Sequence, residues 1–281
     1  YGLVVEDEDL VRFYPYQILV WHQIVHEVFG GKQLLVTYCP FTEAGIVFER
    51  SDLFEVSGNL LDNNLVMMDQ STQSLWSQLF GMSIGGEASS RELLRYPSVT
   101  ISWSAFKRGF AQGQVLSRTT GFERDYTQNP YRDYESSHAV YYPVRHDDGR
   151  LATKTKIFGI SSQDGQIAFV PETVQTARVV NSHAGSEPIV VWWDDQLETL
   201  RGFKRVDTSG NAMMFRHDGT SLVDEQTGSV WNTNGEVVSG VLKGGQLESV
   251  PVILAYWFAW SSFYPDSDLW KISSNNSVNS W

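Results

Sequence analysis

The chain has little of what reactive or cross-linking chemistry usually needs. Cys39 is the one cysteine in 281 residues. An intrachain disulfide and a c-type haem attachment are therefore excluded, because each needs two cysteines. CxxC and HExxH motifs are absent, and so is a glycine-rich phosphate loop. We therefore expect no nucleotide cofactor.

Basic residues and long apolar runs are also scarce. Lys and Arg number 21 against 33 Asp and Glu, which gives a net charge of −12. Such an acidic chain lacks the electrostatic footprint of a protein that binds nucleic acid or an anionic membrane. The longest nearly apolar run, residues 250–264, contains Pro251 and two serines and is shorter than the roughly 20 residues of a membrane helix. We expect neither a nucleic-acid partner nor a membrane span.

Aromatic residues, in contrast, are plentiful. They make up 13% of the chain and include ten tryptophans, which favours β structure because such side chains suit half-buried pleated surfaces. Apolar residues at helical spacing predict a helix over residues 17–29 that ends at Gly30-Gly31. A run of short strands follows, and residues 102–110 are expected to form a second helix. The predicted fold class is α+β, predominantly antiparallel β.

One pattern occurs twice along the chain at a spacing of 155 residues. The matched positions are Asp69/Asp224, Thr72/Thr227, Ser74/Ser229 and Trp76/Trp231. The same spacing holds over some ninety positions with few gaps, which predicts a tandem duplication. We expect a first β-rich repeat at residues 3–115, a linking segment at 116–156, a second repeat at 157–270 and a tail at 271–281. Two such copies are predicted to be related by a pseudo-twofold axis.

Reactive side chains that occur in only one copy are candidates for a site. Cys39 and His22 lack counterparts in the second copy, so they are candidate catalytic residues: His22 would activate the Cys39 thiolate as a nucleophile, and the thiol pKa is expected to be lowered. Alternatively, His22, His26 and Cys39 are candidate ligands of Zn or Cu, because residues 22 and 26 would share a helical face. A third interpretation is that Cys39 is a small buried apolar residue and His22 a hydrogen-bonded core residue.

The linking segment is rich in Arg, Asp and Tyr. Its candidate ligand-binding residues are Arg124, Asp125, Tyr126 and Tyr131. An arginine there would offer a bidentate fork to a carboxylate or phosphate. The other interpretation, slightly favoured, is a clasp of salt bridges and tyrosine hydroxyl bonds between the copies.

Several of these stretches together resemble the prokaryotic family catalogued as domain of unknown function 3179. The matching stretches are Trp21–Val25 with Gly30-Gly31, Thr37–Pro40, Ser57–Leu60, Leu65–Met67, Ser74–Gln78, Thr120–Tyr126 and Asn129–Tyr131. The resemblance implies an extracytoplasmic protein, secreted or at the cell surface, and implies no reaction. The chain departs from the family pattern at His26, where the family tends to have Asn, and at Phe41–Ala44, where a Gly usually follows Cys-Pro closely.

Two classes of function remain open at this stage. The first is an extracytoplasmic binding or structural protein, in which aromatic-rich surface mediates association into a homo-oligomer or a larger assembly. The second is a thiol-dependent enzyme or a metal-binding protein that uses Cys39 and His22. Whether the chain is an enzyme is not decided by its sequence.

Overall fold

The computed structural model describes residues 1–7, 10–131 and 133–272; the predicted tail from Ser273 onward lies outside the described residues. The elements of the first 115 residues are β1 (Gly2–Asp7), β2 (Leu10–Pro15), α1 (Tyr16–His22), β3 (Ile24–Phe29), β4 (Lys32–Cys39), β5 (Ala44–Glu49), β6 (Phe54–Leu61), β7 (Asn64–Asp69), β8 (Leu75–Ser77), β9 (Met82–Gly85), β10 (Arg95–Tyr96), β11 (Val99–Ile101), α2 (Trp103–Gly109) and β12 (Gln114–Val115).

The remaining elements are β13 (Lys156–Ser161), β14 (Gln166–Phe169), α3 (Pro171–Ala177), β15 (Val179–Ala184), β16 (Glu187–Asp194), β17 (Thr199–Lys204), β18 (Phe215–His217), β19 (Leu222–Asp224), β20 (Val230–Trp231), β21 (Val237–Ser239), β22 (Ile253–Tyr256), α4 (Trp257–Phe263) and β23 (Asp268–Trp270). Strands dominate the described part of the chain, and each of its four helices has seven residues. The predicted class, mostly antiparallel β with a few helices, is confirmed. None of these helices is long and apolar enough to cross a membrane.

The chain forms two compact units. The first contains residues 1–156, 195–199 and 251–265. Its sheets have the strand orders β11-β1-β2-β12, β10-β5-β4-β3 and β6-β7-β8-β9. Pairing is antiparallel except between β12 and β2, which run parallel. The first two of these sheets and α1 contribute the core of buried rings and aliphatic side chains, which includes Tyr14, Leu34 and Val36.

The second unit contains residues 157–194, 200–250 and, of the described residues that follow, 266–272. Strands β15-β16-β17 and β18-β19-β20-β21 form two of its sheets. In addition, β14 pairs antiparallel with β13 and parallel with β23. Its core is built on Trp192, Phe203, Phe215 and Trp231.

The helix predicted over residues 17–29 is wrong in its second half. Helix α1 ends at His22 because Gln23 adopts a left-handed conformation (φ 61°) and its N–H closes the last turn on the Leu19 carbonyl. The β-branched residues that follow favour a strand, and β3 pairs with β4 along its whole length. Gly30 and Gly31 (φ 57° and 78°) form the two-residue hairpin turn between them, which is a common use of consecutive glycines.

The turn motif that occurs twice in the sequence makes the same contacts in each unit. Asp69 accepts from Thr72 N at 2.6 Å and from the Trp76 ring N–H at 2.8 Å. Asp224 accepts from Thr227 N at 2.6 Å and from the Trp231 ring N–H at 3.0 Å. In both units these residues therefore satisfy the polar groups of a turn, which is a structural role. The duplication and its pseudo-twofold axis stay predictions.

Candidate functional site

Cys39 lies at the end of β4 and is buried. Its side chain is 1% exposed, and Sγ donates to the Asn63 carbonyl at 3.5 Å. Burial raises the pKa of the thiol, and hydrogen bonds from the Thr42 region offset only part of this rise. The lowered thiol pKa expected from the sequence is therefore wrong. A buried thiol with a raised pKa is a poor nucleophile, and the contacts of Cys39 fit a small packed side chain.

His22, the last residue of α1, has different partners. Its Nε2 lies 2.6 Å from the Tyr126 hydroxyl, which also lies 2.6 Å from Thr120 Oγ1. Burial, and then the nearby Arg124 charge, lower the pKa of His22. The imidazole of His22 therefore holds the linking segment through Tyr126. The thiol of Cys39 instead donates to the Asn63 carbonyl.

His26 lies on β3, and its Nε2 accepts the Phe54 N–H at 3.0 Å. Asn181 does the same in the second unit, where its Oδ1 accepts the Phe215 N–H at 2.9 Å. A histidine thus takes over the acceptor role of an asparagine, the residue type that the family tends to have at position 26. This role accounts for His26 without a metal.

Cys39, His22 and His26, the alternative candidate metal ligands, are not grouped into a metal site. Because α1 ends at His22, residues 22 and 26 do not share a helical face as the sequence predicted. Within residues 1–7, 10–131 and 133–272, no three His, Cys, Asp or Glu side chains are grouped so that they could hold a metal ion.

The segment Gly81–Gly85 also reads GxSxG, the pattern of the hydrolase nucleophile elbow. That elbow needs a serine on a sharp turn between a strand and a helix. Ser83 instead lies within β9 and is 4% exposed. Its Oγ donates to the Leu75 carbonyl at 3.1 Å, so this serine has a structural role in its sheet.

The four candidate ligand-binding residues of the linking segment lie in two kinds of surroundings. Arg124 and Asp125 are exposed; the Arg124 guanidinium lies over the Trp21 ring at 5.8 Å, and Asp125 Oδ1 accepts from Thr127 in a local turn. Tyr126 is 6% exposed. Tyr131 is partly buried and packs edge-on against the Phe41 ring at 4.8 Å.

A tight turn in the first unit fixes the second half of the linking segment. Asp62 and Asn63, both with positive φ, connect β6 to β7. Asn63 exchanges two hydrogen bonds with the backbone of Tyr142, at 2.8 and 2.9 Å. Asp62 accepts from Arg145 N at 2.9 Å and from its guanidinium at 2.7 Å. The predicted clasp between copies stays a prediction.

The first unit contains a cavity of about 670 Å³, a volume typical of small-molecule sites. Its apolar lining includes Phe13, Ile18, Tyr38, Trp103, Val115 and Leu116. Its polar lining includes Gln17, Glu43, Arg118, Thr127, Asn129 and Glu135. Tyr126 also contributes to the wall, whereas neither Cys39 nor His22 is among the described residues that line it. Apolar walls with a few convergent polar groups are what a binding pocket requires.

The most buried charge on the cavity wall belongs to Glu43. It is the last residue of the loop between β4 and β5 and has a left-handed backbone (φ 55°). Its carboxylate is 9% exposed and lies 2.6 Å from Lys156 Nζ, which is also 3.3 Å from Glu135 Oε1. Burial lowers the pKa of Lys156, but the two carboxylates outweigh it and raise the pKa overall. Lys156 therefore remains an ammonium ion that neutralises a buried carboxylate.

Three tyrosines surround this ion pair. Burial is the main cause of the raised pKa of Tyr16, Tyr38 and Tyr256, and the Glu43 charge adds to it. Their phenols therefore stay protonated at neutral pH. The rings of Tyr16 and Tyr38 stack with centroids 4.0 Å apart. The carboxylate is thus held in a ring-lined, polar corner of the cavity.

Sequence reasoning missed Glu43 and Lys156 as site residues. The available signal was the segment Phe41–Ala44, which departs from the family pattern and places a carboxylate beside two apolar strands. Lys156 lies 113 positions after Glu43 in the sequence, and this spacing does not indicate that the two side chains are in contact. Only the fold brings them together.

The fold is β-rich, and its first unit contains a cavity of about 670 Å³. The chain belongs to the family described as Protein of unknown function (DUF3179), whose model matches residues 2–267. This confirms the resemblance that the sequence motifs indicated. No curated protein and no solved structure matches the chain.

Proposed function

We propose that the chain is a binding protein that holds a small organic molecule in the cavity of its first unit. The observation that carries the proposal is the cavity of about 670 Å³, whose lining combines rings and aliphatic side chains with the carboxylate of Glu43. A buried carboxylate is costly to desolvate. Its position on the wall of a cavity fits a role in recognition.

A thiol-dependent enzyme is the less supported alternative. Cys39 is buried, has a raised pKa and is bonded to a backbone carbonyl, so it lacks the exposed thiolate that such an enzyme needs. The proposal also places the protein outside the cytoplasm, a location supported by the family resemblance. Fractionation of cells that produce the native gene product tests this location.

Association into an oligomer or larger assembly is part of the same proposal. Exposed aromatic side chains support it: Phe122 is 64% and Trp103 is 45% exposed. Sedimentation velocity over a hundredfold concentration range tests it. A single monomeric species at every concentration would remove this part of the proposal and leave the cavity untouched.

The binding function is tested with a neutral fluorescent probe, N-phenyl-1-naphthylamine, whose emission rises in an apolar pocket. We expect saturable binding to one site. Val115→Trp, on the cavity wall, should weaken it at least tenfold by filling the space. Val28→Trp is the matched control: Val28 is another exposed strand valine, 59% against 43% exposed, and it does not line the cavity. Absence of saturable binding, or equal binding by both variants, would overturn the proposal.

A further inference from the structure

The lining of the cavity changes in character from its buried to its exposed residues. The buried lining residues, here called the floor, are mostly rings and aliphatic side chains, such as Phe13, Ile18 and Tyr38. Glu43 is the one charged side chain among the described residues of the floor. The exposed lining residues, here called the mouth, are mostly polar and include Gln17, Arg118, Thr127, Asn129 and Glu135. The cavity therefore suits a ligand with an apolar body and a polar head.

The charges of the wall are compensated within the protein. Glu43 and Glu135 both contact Lys156 Nζ, at 2.6 and 3.3 Å, and Glu135 also interacts with the charge of Lys154. The Arg118 guanidinium is exposed, so solvent and salt screen its charge. A cationic or an anionic head would find no unmatched partner there and would lose part of its hydration on entry. The wall therefore favours a head without charge.

Two carboxamides of the mouth have donors that the protein does not use. Gln17 Oε1 accepts from Arg118 at 3.1 Å, and Asn129 Oδ1 accepts the Tyr131 N–H at 2.9 Å. These contacts fix which end of each amide is the oxygen, because both partners can only donate. Among the described residues, neither amide nitrogen has a hydrogen-bond acceptor. Each nitrogen can therefore donate to an oxygen atom of a ligand.

Acceptors lie in the same part of the wall. Thr127 Oγ1 donates to Asp125 at 2.6 Å and keeps lone pairs for a further donor. The Glu135 carboxylate is 65% exposed and can accept more than its contact with Lys156. A hydroxyl group both donates and accepts, so it can use the amide nitrogens and these oxygens together. A carbonyl or ether oxygen could use the amides alone.

We infer that the ligand is an uncharged amphiphile whose hydroxyl-bearing head lies at the mouth, beside Gln17 and Asn129, and whose aliphatic or aromatic body packs on the floor. The inference rests on the proposed function, because it requires that the cavity be occupied. Alkyl and aryl glycosides have this chemistry, since their sugar hydroxyls form a polar head without charge. Trp103, which is exposed and lines the cavity, adds a ring on which the C–H face of a sugar can pack.

Probes that share a tail and differ in the head test this assignment: octyl β-D-glucoside, octylamine and octanoate. Each is titrated calorimetrically and in competition with N-phenyl-1-naphthylamine, below the concentration at which it forms micelles. We expect the glucoside to bind at least about tenfold more tightly than either charged probe, because an ion without a partner loses hydration. Methyl β-D-glucoside, which has the head without the tail, should not displace the naphthylamine.

Asn129→Asp tests the position of the head. The variant keeps the oxygen that accepts the Tyr131 N–H and removes the amide donor. Octyl glucoside should bind at least about threefold more weakly, whereas the naphthylamine should bind unchanged, which shows that the cavity is intact. Asn59→Asp is the matched control, because Asn59 is an exposed asparagine of the same unit and does not line the cavity. It should bind both probes as the native protein does.

The outcomes separate this inference from the binding function on which it rests. Saturable binding of the naphthylamine without a preference for the glucoside over octylamine and octanoate would overturn the uncharged head and leave the binding function standing. Equal binding of the glucoside by Asn129→Asp and Asn59→Asp would overturn the place of the head at the mouth. Failure of every probe, including the naphthylamine, would overturn both the inference and the binding function.

Discussion

Replacement of Lys156 by methionine would reveal how much the first unit depends on the ion pair that Lys156 forms with Glu43. Methionine keeps an unbranched apolar stem and removes the ammonium group 2.6 Å from Glu43. The Glu43 side chain is only 9% exposed, so water cannot fully replace the lost partner. Removing one member of a buried pair costs about 3–5 kcal/mol.

The expected loss for Lys156→Met is at the lower end of that range. Lys156 is itself 37% exposed, so some water reaches the pair. We therefore expect the free energy of unfolding to fall by about 3 kcal/mol, as measured by urea denaturation followed by circular dichroism. The double variant Lys156→Met/Glu43→Gln should recover part of this loss, because it no longer buries an unpaired charge.

Arg108→Met provides the matched control, because it breaks an ion pair of the same unit at the surface. Arg108 and Glu198 are 2.7 Å apart and 47% and 57% exposed, and such pairs contribute about 0–1 kcal/mol. If Lys156→Met were no more destabilising than Arg108→Met, the buried pair would have no special role. The same result would remove the reason for placing a ligand beside it.

Three further predictions concern single positions. The thiol of Cys39 should resist a disulfide reagent in the native protein and react fully in urea, because it is 1% exposed; rapid native labelling would contradict its burial. Although burial opposes it, hydrogen bonds from Trp76 and its own turn lower the pKa of Asp69 below 3.8. The ionised Asp69 therefore stabilises the fold fully above pH 3.8, and this stabilisation is lost as the pH falls through the lower pKa of the folded state. In Asp69→Asn, the free energy of unfolding should consequently depend less on pH in the acid range. Gly86→Ala should cost about 2 kcal/mol in urea denaturation, because φ is 96° and the new Cβ would lie 2.6 Å from Ser74 Oγ; an unchanged midpoint would refute the close approach.

The sequence predicts the strands of this fold better than the site. The short strands expected after the first helix are present, beginning with β4 and β5, and the helix expected at residues 102–110 is present as α2. The first helix was overextended because Ile24 and Val25 continue a helical apolar period. The left-handed Gln23 ends that helix, and tertiary pairing of β3 with β4 decides the rest.

The candidate site illustrates a different limit. Asymmetry between the two halves singled out Cys39 and His22, but a residue present in one half only need not be reactive. Cys39 fills a buried space and His22 holds Tyr126. Glu43 and Lys156, in contrast, belong to no motif. Their importance depends on burial and on a contact across 113 residues, which periodicity and spacing do not encode.

The most direct test of the central claim is a crystal structure of the protein with N-phenyl-1-naphthylamine at saturating concentration. The account predicts density for the ligand inside the cavity of the first unit, with an aromatic ring against Trp103. Ligand bound only at the protein surface, or a cavity without ligand at saturation, would contradict it.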